Sequence, residues 1–142
     1  MRLAPLLLLL FLPLAQAEEA PLHVAGATTV NVLQAKRLFD YGALFIDVRP
    51  DREWSWGHVH GAVHLDLTDR FAGLAMPQWP RHVPLVIYCD SDVCPRGALA
   101  AQLAVGWGYR QVFYFRDGYF AWQLLDFPQG KGMEGEVLAL SP

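Results

Sequence analysis

Leu85-Val86-Ile87-Tyr88-Cys89-Asp90-Ser91-Asp92-Val93-Cys94-Pro95-Arg96-Gly97, followed by an alanine-rich run, is the stretch from which the fold of this chain is read. Four apolar residues ending in a cysteine, then a polar loop, then a helix-forming run describe a strand-to-helix junction with a thiol at the strand's carboxyl end. Loop N–H groups and a helix N-terminus both reach such a sulfur, stabilise its thiolate and lower its pKa. Open α/β sheets also place their ligand crevice at the carboxyl ends of the strands. Cys89 is therefore the first candidate for an active residue.

The same alternation continues on both sides. Upstream, Asn31 is a candidate N-cap for a helix through Ala35, Leu38 and Phe39, with Gln34 at the third helical position and Gly42 as the stop. Ala43-Leu44-Phe45-Ile46 is a continuous apolar run, the pattern of a strand buried on both faces, and it ends in Asp47-Val48-Arg49. Residues 51–56 read as a short helical turn before Gly57, and residues 62–65 as another strand. The stretch 66–84 is irregular, broken by Pro77, Pro80 and Pro84. Downstream, a helix is expected over residues 96–105 with Leu99 and Leu103 sharing a face, ended by Gly106 and Gly108. A strand over 111–115 and a helix over 119–125, closed by Pro128, complete the pattern. Strands alternating with helices imply an α/β fold, a mostly parallel sheet covered on both sides. Residues 130–142 form a glycine-punctuated tail whose order the sequence does not decide.

The N-terminus reads as a leader rather than as part of the fold. Arg2 precedes an apolar run from Leu3 to Leu14, and Ala15-Gln16-Ala17 supplies the small-x-small pattern of a signal-peptidase site. The run falls short of the roughly 20 residues of a bilayer span and is interrupted by Pro5 and Pro13. Residues 1–17 are thus expected to be a signal peptide and 18–142 a single exported domain, periplasmic or secreted. An uncleaved anchor is the competing reading. Losing Arg2 moves the net charge from −3 to −4, and no run of Lys or Arg occurs, which argues against nucleic acid or a polybasic membrane patch as partner. Cys89 and Cys94 both survive cleavage into a disulfide-permissive compartment. They lack the second Cys or His pair of a zinc site, and no metal is expected.

Several blocks together resemble the rhodanese-like domains. Ile46-Asp47-Val48-Arg49, Glu53 and Gly57-His58-Val59-His60-Gly61-Ala62 resemble the family's first signature, Val86-Ile87-Tyr88-Cys89 its active-cysteine strand, and Gly108-Tyr109-Arg110-Gln111-Val112 with Asp117-Gly118 and Trp122 its closing block. The match covers roughly residues 24–128 in the right order. It implies a five-stranded, mostly parallel sheet flanked by helices, and a cysteine that carries a persulfide sulfur. The loop departs from the family pattern: where an arginine is usual at the fifth position after the cysteine stands Cys94, Arg96 follows two residues later, and Asp92 replaces a midway glycine. Asp90 and Asp92 are expected to repel thiosulfate and to work against the loop amides in setting the Cys89 pKa.

The resemblance makes Cys89 the catalytic residue and Asp90, Ser91, Asp92, Val93, Cys94, Pro95 and Arg96 its loop. Cys94 is a resolving thiol, a disulfide partner of Cys89, or filler in a longer loop; the sequence leaves these open. Arg96 either orients an anionic substrate or is a solvated residue in the helix's first turn. Asp47, Arg49 and Glu53 are expected to frame the loops by ion pairs and hydrogen bonds, and His58 stands at the family's structural histidine. His58, His60 and His64 are closely spaced, but no carboxylate or cysteine completes a ligand set. Trp54, Trp56, Trp107 and Trp122 are read as packing residues. The expected function is sulfur transfer through a Cys89 persulfide, from a small sulfur donor to a thiol or protein acceptor, without a cofactor. The alternatives are a redox relay or sensor cycling Cys89 and Cys94, and a catalytically silent binding module.

Overall fold

The computed structural model describes residues 1–5, 8–13 and 19–132 of the chain. The expected cleavage site at Ala15-Gln16-Ala17, and the tail beyond residue 132, lie outside the described residues. In chain order the elements are β1 (Thr28–Val30), α1 (Val32–Asp40), β2 (Leu44–Asp47), α2 (Asp51–Trp56), β3 (His58–Val59), β4 (Val63–His64), a 3-10 turn (Phe71–Ala75), β5 (Leu85–Tyr88), α3 (Arg96–Gly106), β6 (Val112–Phe115), α4 (Gly118–Leu124) and β7 (Gln129–Gly130).

Local sequence accounts for most of these boundaries. Asn31 and Gln34 form a reciprocal capping box, Asn31 Oδ1 accepting from Gln34 N–H and Gln34 Oε1 from Asn31 N–H, each at 2.8 Å. Gly42, at φ +83°, turns the chain after α1, and its N–H donates to Phe39 O. The helix expected over 119–125 runs one residue earlier, an ordinary uncertainty at helix ends.

Five strands form one parallel sheet in the order β1-β6-β5-β2-β4, with β5 at its centre. Side chains alternate across the pleat. Leu85, Ile87 and Cys89 face the side covered by α3 and the 3-10 turn, and Val86 and Tyr88 face the side of α1, α2 and α4. The chain therefore leaves β2 toward one face and β5 toward the other. Between two such adjacent strands a crevice opens at the carboxyl ends, bounded here by Asp47-Val48-Arg49 and by Cys89-Asp90.

Two features differ from the sequence expectation. β1 is a three-residue edge strand with one buried residue, Val30, too short to show a period, and it exists because β6 offers it a pairing edge. β3 and β7 form a two-stranded antiparallel patch joining segments about 70 residues apart, which local sequence cannot anticipate. Leu99 and Leu103 do share a face, but it is the exposed one, at 49% and 43%. α3 instead packs through Gly97, Ala98, Ala100, Ala101 and Ala104, whose small side chains let the helix lie close on the sheet.

Candidate active site

Cys89 is the first residue past β5 and is 4% exposed. It is joined to Cys94 by a disulfide, with the two Cα atoms 6.2 Å apart. Between them the loop folds back on itself, Cys94 N–H donating to Ser91 O at 3.1 Å. The amides of residues 90–93 donate to no backbone carbonyl among the described residues. Loop N–H groups without an internal acceptor are the kind of donor from which anion-binding concavities are built.

The loop is pinned from three sides. Tyr119 N–H and Phe120 N–H, in the first turn of α4, donate to Cys89 O (2.9 Å) and Asp90 O (3.0 Å). That close approach needs glycine at residue 118: its φ is +70°, and a Cβ there would lie 2.5 Å from Cys89 O. The N-terminal segment reaches the same loop, with Ala20 N–H donating to Asp92 O at 2.6 Å. Arg116 holds that segment, its Nε and Nη2 donating to Ala20 O at 3.1 and 2.9 Å. On the third side, α3 begins immediately after Pro95, whose carbonyl accepts from Leu99 N–H at 3.1 Å.

The next residue, Asp90, lies in the bend after β5, and its carboxylate meets Arg49. The Arg49 guanidinium, on a side chain 2% exposed, donates to Asp47 through Nε (3.0 Å) and Nη2 (2.7 Å), to Gly57 O (2.6 Å), and to Asp90 Oδ1 (3.3 Å). It also lies over the rings of Tyr119 and Tyr88, 4.6 and 5.9 Å from their centroids. Burial works against its charge, but the Asp47 hydrogen bond and the charges of Asp47 and Asp90 outweigh that and raise its pKa. Burial raises the pKa of Asp90; Arg49 pulls it down, and Glu53 and Asp47 push it up. Beside this network lies a cleft of about 380 Å³ lined by Arg49, Glu53, Trp56, Asp90, Tyr119, Phe120 and Gln123.

His58 and His64 both stack on the Trp54 indole, with ring centroids 3.4 and 4.8 Å away. His58 Nδ1 is 3.0 Å from Trp54 O, and His64 Nε2 is 2.6 Å from Arg49 O. His58 is thus tied to the backbone of α2, and His64 to that of Arg49. His60 is exposed at a turn.

The profile of the rhodanese-like domain family matches residues 31–125. The chain belongs to the rhodanese-like family. An HTH-type transcriptional regulator of Mycobacterium tuberculosis is 32% identical over 90 residues, which are 61% of this chain and 37% of the regulator, so the chain matches little more than a third of that relative's length. Rhodanese-like domain-containing protein 17 of Arabidopsis thaliana is 31% identical over 112 residues, 70% of each chain. The thiosulfate sulfurtransferase GlpE of Haemophilus influenzae is 28% identical over 97 residues, 67% of this chain and 87% of GlpE. Among solved structures, the polysulfide-sulfur transferase homodimer of Wolinella succinogenes superposes with a TM-score of 0.63 at 20% identity, covering 78% of this chain and 82% of that one, a likeness of fold.

In this rhodanese-like chain the structure brings together Asp47, Arg49, Asp90, Cys89 and Cys94, and puts Glu53 on the wall of the adjoining cleft. Arg96 does not join them: its Nη1 lies 3.9 Å from Asp66. Neither loop aspartate stands alone. Asp90 has Arg49, and the Asp92 carboxylate is 3.9 Å from Arg116. Ligand atoms of Cys89, Asp90 and Cys94 fall within 4.8 Å of one another, but sulfurs bonded to each other cannot ligate a metal as thiolates. Sequence reasoning missed Arg116 and the segment at Ala20, because the contacts that join them span 96 residues. Gly118 stood in the closing block, but what its lack of a Cβ permits emerged only when α4 met the loop.

Proposed function

We propose that this chain is a sulfurtransferase that moves a sulfane sulfur through a persulfide on Cys89. The observation that carries the reading is Cys89 at the carboxyl end of the central strand, bordered by the amides of residues 90–93. Kinship with a thiosulfate sulfurtransferase supports it. The disulfide must first be reduced, because only a thiolate is nucleophilic. The Cys89 thiolate then attacks the outer sulfur of a donor, forming the Cys89 persulfide anion as the donor leaves as a thiolate or, from thiosulfate, as sulfite. An acceptor thiol or other nucleophile takes the terminal sulfur, and Cys89 departs as thiolate. The loop amides stabilise the negative charge on the persulfide without a cationic side chain.

Intact-mass measurement of the reduced protein after exposure to thiosulfate, polysulfide and a persulfide tests this. In Cys94→Ser, which cannot re-form the disulfide, one added sulfur atom is expected, and none in Cys89→Ser; no gain by Cys94→Ser from any donor overturns the reading. The disulfide favours a second reading, a redox relay or sensor. That reading predicts a reversible Cys89–Cys94 couple with a measurable potential and no sulfur loading.

We also propose that the protein is exported and cleaved after Ala17 to leave one domain, residues 18–142, acting on a small sulfur donor and a thiol or protein acceptor. Arg2, the apolar run and Ala15-Gln16-Ala17 support this. Among the described residues no helix is long and apolar enough to cross a membrane. N-terminal sequencing of protein from its native host should begin at Glu18, and Met1 retained in the membrane fraction would refute it.

A further inference from the structure

We propose that Cys94 resolves the Cys89 persulfide within the chain, so that the sulfur leaves as sulfide and an external dithiol resets the site. The inference rests on the sulfur-transfer reading and names its product and its reductant.

The geometry behind it is the direct bond between the two Sγ atoms, with Cα atoms 6.2 Å apart. A thiol at residue 94 thus reaches the Sγ of Cys89, which is the inner sulfur of a persulfide. The loop that places it there is held by more than the disulfide. Tyr119 and Phe120 N–H groups fix the carbonyls of residues 89 and 90, Ala20 fixes that of Asp92, and Cys94 N–H closes onto Ser91. None of these contacts involves a sulfur atom, so reduction of the disulfide removes none of them directly.

The step balances: the protonated Cys89 persulfide and the Cys94 thiol give the Cys89–Cys94 disulfide and one molecule of hydrogen sulfide. The Cys94 thiolate attacks the inner sulfur, and the bond to the outer sulfur breaks. Its electron pair leaves with hydrosulfide, which keeps the persulfide proton and takes up the one that Cys94 released. Two cysteine thiols are oxidised to a disulfide, and the sulfane sulfur is reduced to sulfide. A carboxylate oxygen of Asp90 lies within 4.8 Å of both sulfurs, so the departing anion finds a like charge and is not retained.

Reset follows from exposure. Cys89 is 4% exposed and Cys94 only half-buried, so an external thiolate attacks Cys94 and expels the Cys89 thiolate, ready to load again. The mixed disulfide then left on Cys94 is cleared by a second thiol of the same reductant, which makes a dithiol the fitting partner. Each cycle oxidises that dithiol to its disulfide and releases one sulfide.

The test is a single turnover. Fully reduced protein freed of reductant is mixed with one equivalent of a small-molecule persulfide, whose leaving group is a thiolate and not sulfide, and sulfide release and intact mass are followed together. Wild type is expected to release the transferred sulfur as sulfide and to end two hydrogens lighter than the dithiol. Cys94→Ser and Cys94→Ala are expected to keep the added sulfur and to release sulfide roughly 100-fold more slowly, since an intramolecular attack has been lost. A wild type that holds its sulfur beside a free Cys94, or variants that release sulfide at the wild-type rate, overturns the inference and leaves sulfur transfer standing. If wild type and both variants all fail to load, sulfur transfer falls and the inference with it.

Discussion

The Arg49 guanidinium holds the Asp47 carboxylate, the Gly57 carbonyl and Asp90 at once, on a side chain 2% exposed. Removing it leaves the fully buried Asp47 with an uncompensated charge. Arg49→Met should therefore cost about 3–5 kcal/mol, and adding Asp47→Asn should recover part of the loss, as measured by urea unfolding. A double variant no more stable than the single one would show that the pair is not the source. Asp90 sits between Arg49 and the two sulfurs, and its charge opposes an incoming dianion. Asp90→Asn should improve thiosulfate use about fivefold, most at low salt, where the charge is least screened. Steady-state assays at two ionic strengths decide it, and equal rates would remove Asp90 from donor selection. At His58 burial lowers the pKa, outweighing the Trp54 carbonyl and the Asp47 charge, so the folded state prefers the neutral ring. Stability from this group is present above its unfolded value of about 6.5 and is lost as pH falls toward the lower folded value. Thermal melts between about pH 7 and 5 should show that decline, and His58→Phe should flatten it.

At the scale of elements, the loop between β5 and α3 takes its shape from α4, an element later in the chain. The first-turn N–H groups of α4 are spent on the carbonyls of Cys89 and Asp90, and Gly118 is what lets them approach. Gly118→Ala should destabilise the fold by about 2–4 kcal/mol, combining left-handed strain with a backbone clash. It should also alter Cys89 reactivity more than Gly106→Ala does, since a Cβ at residue 106 meets nothing within 4 Å. Alkylation rates of the reduced proteins compare the two; equal rates would mean that α4 does not set the loop.

For the molecule as a whole, the disulfide staples little. It closes a loop of sequence separation 5, for which chain entropy predicts a contribution of about 2 kcal/mol. Two packed cores, one on each face of the sheet, carry the stability instead. Reduced protein should therefore keep its far-UV circular dichroism spectrum and lose about 5–10 °C in Tm. Global unfolding on reduction would show the disulfide to be structural rather than free to cycle.

Several levels were already legible in the amino-acid sequence. The apolar runs 43–46 and 85–88, the Asn31–Gln34 cap and the glycine stops specify strands and helices through interactions a few residues long. The alternation of those elements specifies an α/β architecture, and the strand end specifies where Cys89 must stand. Tertiary structure alone decided what surrounds that thiol. Which residues of α3 face the sheet depended on packing distance, which favours alanine over the larger Leu99 and Leu103. The short strands β1, β3 and β7 depended on partners elsewhere in the chain. The hold of Arg116 on Ala20, and through it on the cysteine loop, joins segments nearly a hundred residues apart. A sequence pattern records the preferences of near neighbours, whereas a contact across that span exists only once the sheet has brought both segments to the same edge.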